Sequence, residues 1–394
     1  MRLLEPHGTP GLITQNSREE VVIVLGKFVD ALRASVGGLL DAELVGVLTG
    51  KRRDLDESGE GRARIGPVPG LPGGDFFLLP RSRGKYQFVL ENEAVYLEAT
   101  TRPNLPALIV QFRSRVLYEH DLESLETIVD DIAGFFLLPG YSCKVSRFDL
   151  ALDFQADGWE LPDIEDGVTR ARKKSLDEHK GTTPVCMTLG RRNGTLQVQI
   201  YNKTEELKES KKKWMHQIYR ENDRYDASLP VWRVELRFFG KLLREMDVST
   251  VADLSSGLGD LVRVVVGSEG VKPWVQITDP DHRDHRRDRR PAAPWWEEVS
   301  ASLVEGMPTT GRVRVRGSRN PSREHTLKMV LAYSKKLAAW EKTGGLDFGD
   351  SVDGFLDRLK AYLLEDLNSK DLSWSEAVDL AASKLGGVTD RSLD

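Results

Sequence analysis

The sequence predicts an α+β fold: an antiparallel-rich sheet built from two similar halves, with helices packed on one face and a helical C-terminal appendage. Three observations predict it. Short runs of alternating apolar and polar residues recur as far as Gly240. Helical periodicity falls between groups of these runs, not between every pair of them. And Asn193-Gly194 joins two of them at hairpin spacing.

In chain order, Ser17 to Gly37 begins with an N-cap serine, has Glu20 three positions later, and continues with apolar residues at helical spacing. That pattern predicts a first helix. Glycine and proline dominate from Gly59 to Gly74, which predicts a loop. Strand-like runs follow in DFFLLP, YQFVLEN, AVYLEAT and ALIVQFR. Asp121 to Leu137 predicts a second amphipathic helix, capped by Asp121. The pattern then repeats in kind. KVSRFDLALDF predicts a strand, IEDGVTRARKKSL a helix, and PVCMTLGRRNGTLQVQIY a hairpin. A helix follows Tyr201, and PVWRVELRFFG predicts a further strand. The charged, proline-ended stretch from Asp279 to Pro294 predicts a linker. The expected organisation is therefore a domain over 1–278, a linker over 279–294, and a mainly helical region over 295–394 that binds DNA or a partner.

Composition excludes several classes. No run approaches the roughly 18 apolar residues of a membrane span, and the start MRLLEPHGTPG lacks a secretory apolar segment. Cys143 and Cys186 give neither a disulfide framework nor zinc spacing, so a reducing cytoplasm is the expected home. Net charge is −5, yet basic residues cluster. GRVRVRGSRNPSR carries five arginines and no acid, and KESKKKW and RGKY add smaller patches. Local patches on an acidic protein still neutralise phosphates, because attraction fades beyond roughly 8–10 Å at physiological salt. Lys211, Lys212, Lys213, Arg312, Arg314 and Arg316 are the candidates, with Arg147 beside them; solvated helix faces are the alternative.

Three strands carry the candidate chemistry. In SRFDLALDF, Phe148, Leu150, Leu152 and Phe154 share one face, and Arg147, Asp149, Ala151 and Asp153 the other. In VWRVELRF, Arg233, Glu235 and Arg237 alternate with apolar residues. In LQVQIYNKTEEL, Gln197, Gln199 and Tyr201 do the same, with Lys203 just beyond. If the strands are neighbours, their polar faces pool carboxylates, arginines and one phenol. A cross-strand salt-bridge ladder, Arg147 to Glu235 and Arg237 to Asp149 or Asp153, is the simpler account. The sharper one is a metal-dependent phosphoryl-transfer site. Mg²⁺ or Mn²⁺ takes one or two carboxylates plus phosphate oxygens, and a phenol attacks once a neighbour takes its proton.

These three segments, in this order, resemble the core of the replication initiation factor family, whose members include initiators of rolling-circle plasmid replication and relaxases of conjugative elements. The similarity is strongest from Ser146 to Gly240. It implies a nicking fold related to the HUH endonucleases but without their paired histidines; His282 and His285 fall in the charged linker. It further implies Tyr201 as nucleophile; Tyr219 and Tyr225, which follow the lysine cluster in the sequence, compete for that role. Asp149 and Glu235 would bind Mg²⁺ or Mn²⁺, with Asp153 a third candidate, and Lys203 and Arg233 would position phosphate. The implied activity is site-specific nicking and joining of one DNA strand through a 5′-phosphotyrosyl intermediate that initiates rolling-circle replication. Implied partners are origin DNA, single-stranded or extruded as a hairpin, and a host helicase; an oligomer is compatible. A relaxase, a hydrolytic nuclease and a non-catalytic DNA-binding regulator are the alternatives.

Overall fold

The computed structural model describes residues 21–179, 183–192, 194–210, 212–280, 284, 286–314, 330, 334 and 352–384. The chain divides into two compact units, Met1–Val315 and Arg316–Asp394. The second contains helices Val352–Ser369 and Trp374–Lys384.

In the first unit, β1 (Ile23–Gly37), β2 (Ala63–Pro67), β3 (Asp75–Leu78), β4 (Phe88–Glu91), β5 (Val95–Ala99) and β6 (Leu108–Phe112) form one half of a sheet. Helices α1 (Ala42–Ser58), α2 (Ser114–Glu119) and α3 (Leu122–Phe136) accompany them. The other half comprises β7 (Ser142–Gln155), β9 (Lys174–His179), β10 (Thr183–Gly190), β11 (Leu196–Asn202) and β12 (Trp232–Phe239), while β8 (Gly167–Thr169) belongs to a separate two-stranded sheet. With it go α4 (Lys203–Glu209), α5 (Met215–Tyr219), α6 (Gly240–Glu245), α7 (Val251–Val266), β13 (Val275–Ile277) and α8 (Pro294–Val304).

The sheet order is β2-β3-β4-β5-β6-β1-β7-β12-β11-β10-β9, antiparallel at every pairing. The two halves mirror each other. Each opens with a long central strand, β1 or β7; its last strand returns beside that one; two helices follow, α2–α3 or α6–α7. Helices α3 and α7 then pack together. Phe148, Leu150, Leu152 and Phe154 of β7 are fully buried beneath them, as are Val234, Leu236 and Phe238 of β12. Asp121 caps α3 by accepting from the Ser124 amide at 2.8 Å, and its buried stripe runs from Leu122 to Phe136.

Three sequence expectations fail here. The first concerns Ser17 to Gly37: from Ile23 onwards it is β1, not a helix, and its proposed N-cap Ser17 and Glu20 lie outside the described residues. Opposite a bulge in β7 at Ser146, between Arg33 and Ala34, the strand itself carries two extra residues, Leu25 and Asp30, at bulges between Val24 and Gly26 and between Val29 and Ala31. They break its period of two and leave apolar residues at spacings that imitate a helix turn. Pairing on both edges then overrides local periodicity. The second is IEDGVTRARKKSL, expected as a helix, which forms β8 and the start of β9; Gly167, Val168 and Thr169 pair with β13. The third is the loop Gly59 to Gly74, which includes β2. Asn193, at the hairpin turn, lies outside the described residues, whereas β10 and β11 pair as expected.

The boundary expected over 279–294 falls inside the first unit. Its charge is matched by local acids: Arg290 lies 3.7 Å from Asp166, and Arg287 pairs with Glu165. The Ala293 amide donates to the Ile277 carbonyl, and α8 buries Trp295 and Trp296, with Trp295 stacked on Phe154 at 6.0 Å. A core helix of the same compact unit thus lies beyond the charged stretch.

The basic segment after α8 straps across α7. The Gly259 amide donates to the Pro308 carbonyl at 2.8 Å, and a Cβ at Gly259 would lie 2.6 Å from the Thr309 methyl, so only glycine admits the strap. Asp260, nearly buried, accepts from the amides of Thr310 and Arg312. Arg312 donates to the Asp253 carbonyl at 2.7 Å and to its carboxylate at 3.0 Å, and Arg314 pairs with Glu245 at 2.7 Å. Both guanidiniums are thus engaged by the protein itself. Converting Arg312 and Arg314 to alanine should lower thermal stability by about 1–3 kcal/mol, the range for hydrogen bonds to charged groups. A melting curve of the double variant checks this. Arg316 lies outside the described residues.

Candidate active site

Register brings the three candidate strands together. On the polar face, Tyr201 is paired with Arg233 and Arg233 with Asp153; Gln199 with Glu235; and Gln197 with Arg237 and Arg237 with Asp149. Directly paired residues share a face. The phenol and the acids therefore lie on the same side of the sheet.

The Tyr201 hydroxyl donates to Glu235 Oε2 at 3.3 Å. Arg237 clasps the same carboxylate through two nitrogens, at 2.6 and 3.1 Å, and reaches Gln197 Oε1 at 3.1 Å. Tyr201, Glu235, Arg237 and Lys203 line one cavity of about 400 Å³, together with Asp30, Cys186, Lys212 and the α4 acids Glu205, Glu206 and Glu209. Lys203 is buried, pairs with Glu206, and holds its ammonium 5.9 Å from the Tyr201 ring centre. Burial and nearby Arg233 push that ammonium below its ordinary pKa, against the pull of Glu206. Burial likewise pushes the Tyr201 phenol well above 10; Glu235 adds to the rise and Arg233 opposes it. The hydroxyl at this site is a neutral donor with an acceptor already in place.

A second network lies beside the first and reaches the cavity only through Asp30. Arg233, 1% exposed, donates twice to Asp153, at 2.5 and 2.7 Å, and once to Asp30, at 2.6 Å. Tyr219, also fully buried, donates to Asp153 at 2.7 Å. Sequence reasoning missed Asp30, because apolar residues at helical spacing mark its stretch as a helix; the signal was the β-branched run Val21 to Val24 that leads into the strand. Tyr219, a competitor for nucleophile, has its hydroxyl committed to a buried carboxylate. Tyr225 tilts against it at 5.8 Å. Arg233, expected at the phosphate, is instead an internal anchor.

The expected metal-binding trio does not fit a cation in this arrangement. Asp149 is fully buried, gripped by Arg147 and 3.8 Å from Arg237. Asp153 belongs to Arg233 and Glu235 to Arg237, so each carboxylate already faces a guanidinium. Among the described residues, no group of three or more acidic, histidine or cysteine side chains is placed to hold a metal ion. The ladder matches the one foreseen only in part: Arg237 lies within 3.8 Å of Asp149 as expected, but Arg147 and Arg237 make their shortest pairs with the acid two residues along their own strand. Of the lysine cluster, Lys212 borders the cavity, Lys213 is exposed, and Lys211 lies outside the described residues.

Burial, with Glu235 nearby, pushes the Asp149 carboxyl up to about 7 despite Arg147 and Arg237. A carboxyl raised in the folded state favours folding below its unfolded value near 4 and loses that contribution as pH rises through 7. Relative to Asp149→Asn, the wild-type protein should therefore lose stability between pH 4 and 7, as read from paired melting curves. A flat difference would leave Asp149 ionised throughout.

No family model matches the sequence, and no curated protein matches it. Among solved structures, a rolling circle replication initiator protein from Geobacillus stearothermophilus is similar over 73% of this chain and 99% of that one, at 13% identity and a TM-score of 0.41. That likeness is too slight to bear on what this chain does. No helix among the described residues is long and apolar enough to cross a membrane.

Proposed function

We propose that this protein nicks and rejoins one strand of DNA, with Tyr201 as the nucleophile, to start rolling-circle replication. The observation that carries the reading is a phenol at a cavity wall, hydrogen-bonded to a carboxylate and flanked by buried positive charge. The sequence resemblance described above supports it.

The steps follow from the chain's own groups. The phenol, held neutral by burial, keeps its proton until attack. As its oxygen bonds to phosphorus, the proton passes to Glu235 Oε2, the acceptor it already faces. The bond from phosphorus to the 3′ oxygen breaks, and that oxygen leaves with its electron pair and takes a proton from solvent. The product carries a 5′-phosphotyrosine and a free 3′-OH. Attachment to tyrosine retains the phosphoester bond, so a later 3′-OH can reverse the step, which attack by water would not permit. Lys203, on the same cavity wall, supplies positive charge near the developing phenolate. Arg237 holds Glu235 in place. No step is assigned to Mg²⁺ or Mn²⁺, because the carboxylates expected to bind it are occupied by guanidiniums.

The test uses labelled single-stranded oligonucleotides tiling the DNA around the protein's own gene, incubated in buffer containing Mg²⁺. The expected product is a detergent-stable protein–DNA adduct whose peptide map places the nucleotide on Tyr201. Cleavage with no adduct would point to water as nucleophile, and tight binding with neither would point to a regulator. Either result overturns the proposal.

A further inference from the structure

The polar sheet face does not end at the Tyr201 cavity. Across the other half of the sheet, Arg33 is paired with Gln111, Gln111 with Tyr96, Tyr96 with Glu91, and Glu91 with Phe77. Arg33 is also paired with Arg147, which shares its side of β7 with Asp149, the partner of Arg237. Register thus puts Phe77, Tyr96, Arg33, Arg147, Arg237 and Tyr201 on one face.

This half of the face is open, aromatic and basic. Tyr96 and Phe77 are half-buried, with guanidiniums poised over their rings: Arg83 and Arg113 at 5.6 and 5.9 Å from Tyr96, and Arg62 at 4.1 Å from Phe77. Arg83 and Arg113 are 58% and 44% exposed. Their acids are fewer: Glu98, 3% exposed, is shared by Arg33 and Arg83, and Glu91 pairs with Arg113. With the Arg64–Asp75 pair beside Phe77, five arginines against three carboxylates leave positive charge at the surface. The basic RGKY stretch of the sequence forms the edge of this patch, its turn closed between Arg83 and Tyr86.

Resting on the function proposed above, we infer that this face is the docking platform for the single-stranded DNA leading to Tyr201. Bases stack on Tyr96 and Phe77, and phosphates meet Arg33, Arg83 and Arg113. Half-buried surface rings with flanking guanidiniums suit unpaired bases, whose flat faces are free; a duplex hides those faces. From β5 to β11 is five strand steps, about 24 Å at ~4.8 Å each. The row Arg33, Arg147 and Arg237 spans the interval.

Fluorescence anisotropy with labelled (dT)20 in EDTA reads binding without cleavage. Tyr96→Ala should weaken binding about fivefold or more, as for loss of one stacked base, and Tyr96→Phe should retain it. Joint replacement of Arg83 and Arg113 by glutamine should lower the slope of log Kd against log salt by about 1.4, roughly 0.7 per phosphate contact. Bromodeoxyuridine crosslinking of the wild-type protein, which needs no variant to fold, should map to peptides within 75–113. Variants that bind like wild type, crosslinks elsewhere, equal competition by a blunt hairpin duplex, or tighter binding of (rU)20 would each overturn the platform. The two proposals fail separately. Weakened (dT)20 binding in the face variants, with an adduct persisting in Tyr201→Phe, sinks only the nucleophile; the reverse pattern sinks only the platform.

Discussion

Tyr201→Phe should yield a folded protein that forms no covalent adduct with DNA. The change removes one hydroxyl and its 3.3 Å bond to Glu235, at a stability cost of about 1 kcal/mol. Its expected effect on strand cleavage is far larger, about 10³-fold or more, because no other group supplies the attacking oxygen. Tyr219→Phe is the matched control. Its hydroxyl serves the buried carboxylate of Asp153, so its loss should lower stability by about 1.5–3 kcal/mol while the adduct still forms. Gel detection of the adduct and melting curves, run on both variants, separate the two tyrosines. An adduct surviving in Tyr201→Phe and lost in Tyr219→Phe would exchange their roles.

The largest stability effect is expected at Arg233. Replacement by methionine keeps much of the side-chain volume and removes the cation that faces Asp153 and Asp30. Removing one partner of a buried ion pair leaves an uncompensated charge, and about 3–5 kcal/mol of destabilisation is expected. The pH dependence should invert as well. In the wild-type protein burial works against ionisation of Asp30, but Arg233, with Lys212, Lys203 and Arg237, overcomes it and holds that carboxyl below its ordinary value. A depressed carboxyl contributes stability above its unfolded value near 4 and loses it as pH falls further. Without Arg233, burial should dominate and raise Asp30, so the variant should regain stability on acidification. Adding Asp153→Asn to Arg233→Met should recover part of the loss, and the double-mutant cycle measures the coupling. Additive losses would remove Arg233 from its place as the anchor of this face.

How much of this was legible in the sequence depended on whether the deciding interaction was local. The alternation in SRFDLALDF, VWRVELRF and LQVQIY is a property of each strand, and it correctly placed Tyr201, Asp149 and Glu235 on polar faces. The Asp121 cap and the apolar stripe of α3 were equally local and equally readable. The first strand was not, because its bulges disguise the period that identifies a strand and only its two neighbours define it. Nor was the fate of the arginines. Arg312 and Arg314 read as a surface patch until α6 and α7 supply Glu245 and Asp253 from some 60 or 70 residues away.

The sequence by itself determined the alternation, the two-part plan and the presence of a phenol beyond a polar stripe. Tertiary structure alone decided which charge meets which. It gave Glu235 to Tyr201, committed Arg233 and Tyr219 to Asp153, and extended one polar face from Tyr201 to Tyr96. Periodicity records the side on which a residue lies, whereas an ion pair depends on which strands become neighbours and in what register. That register is set by packing of the whole sheet.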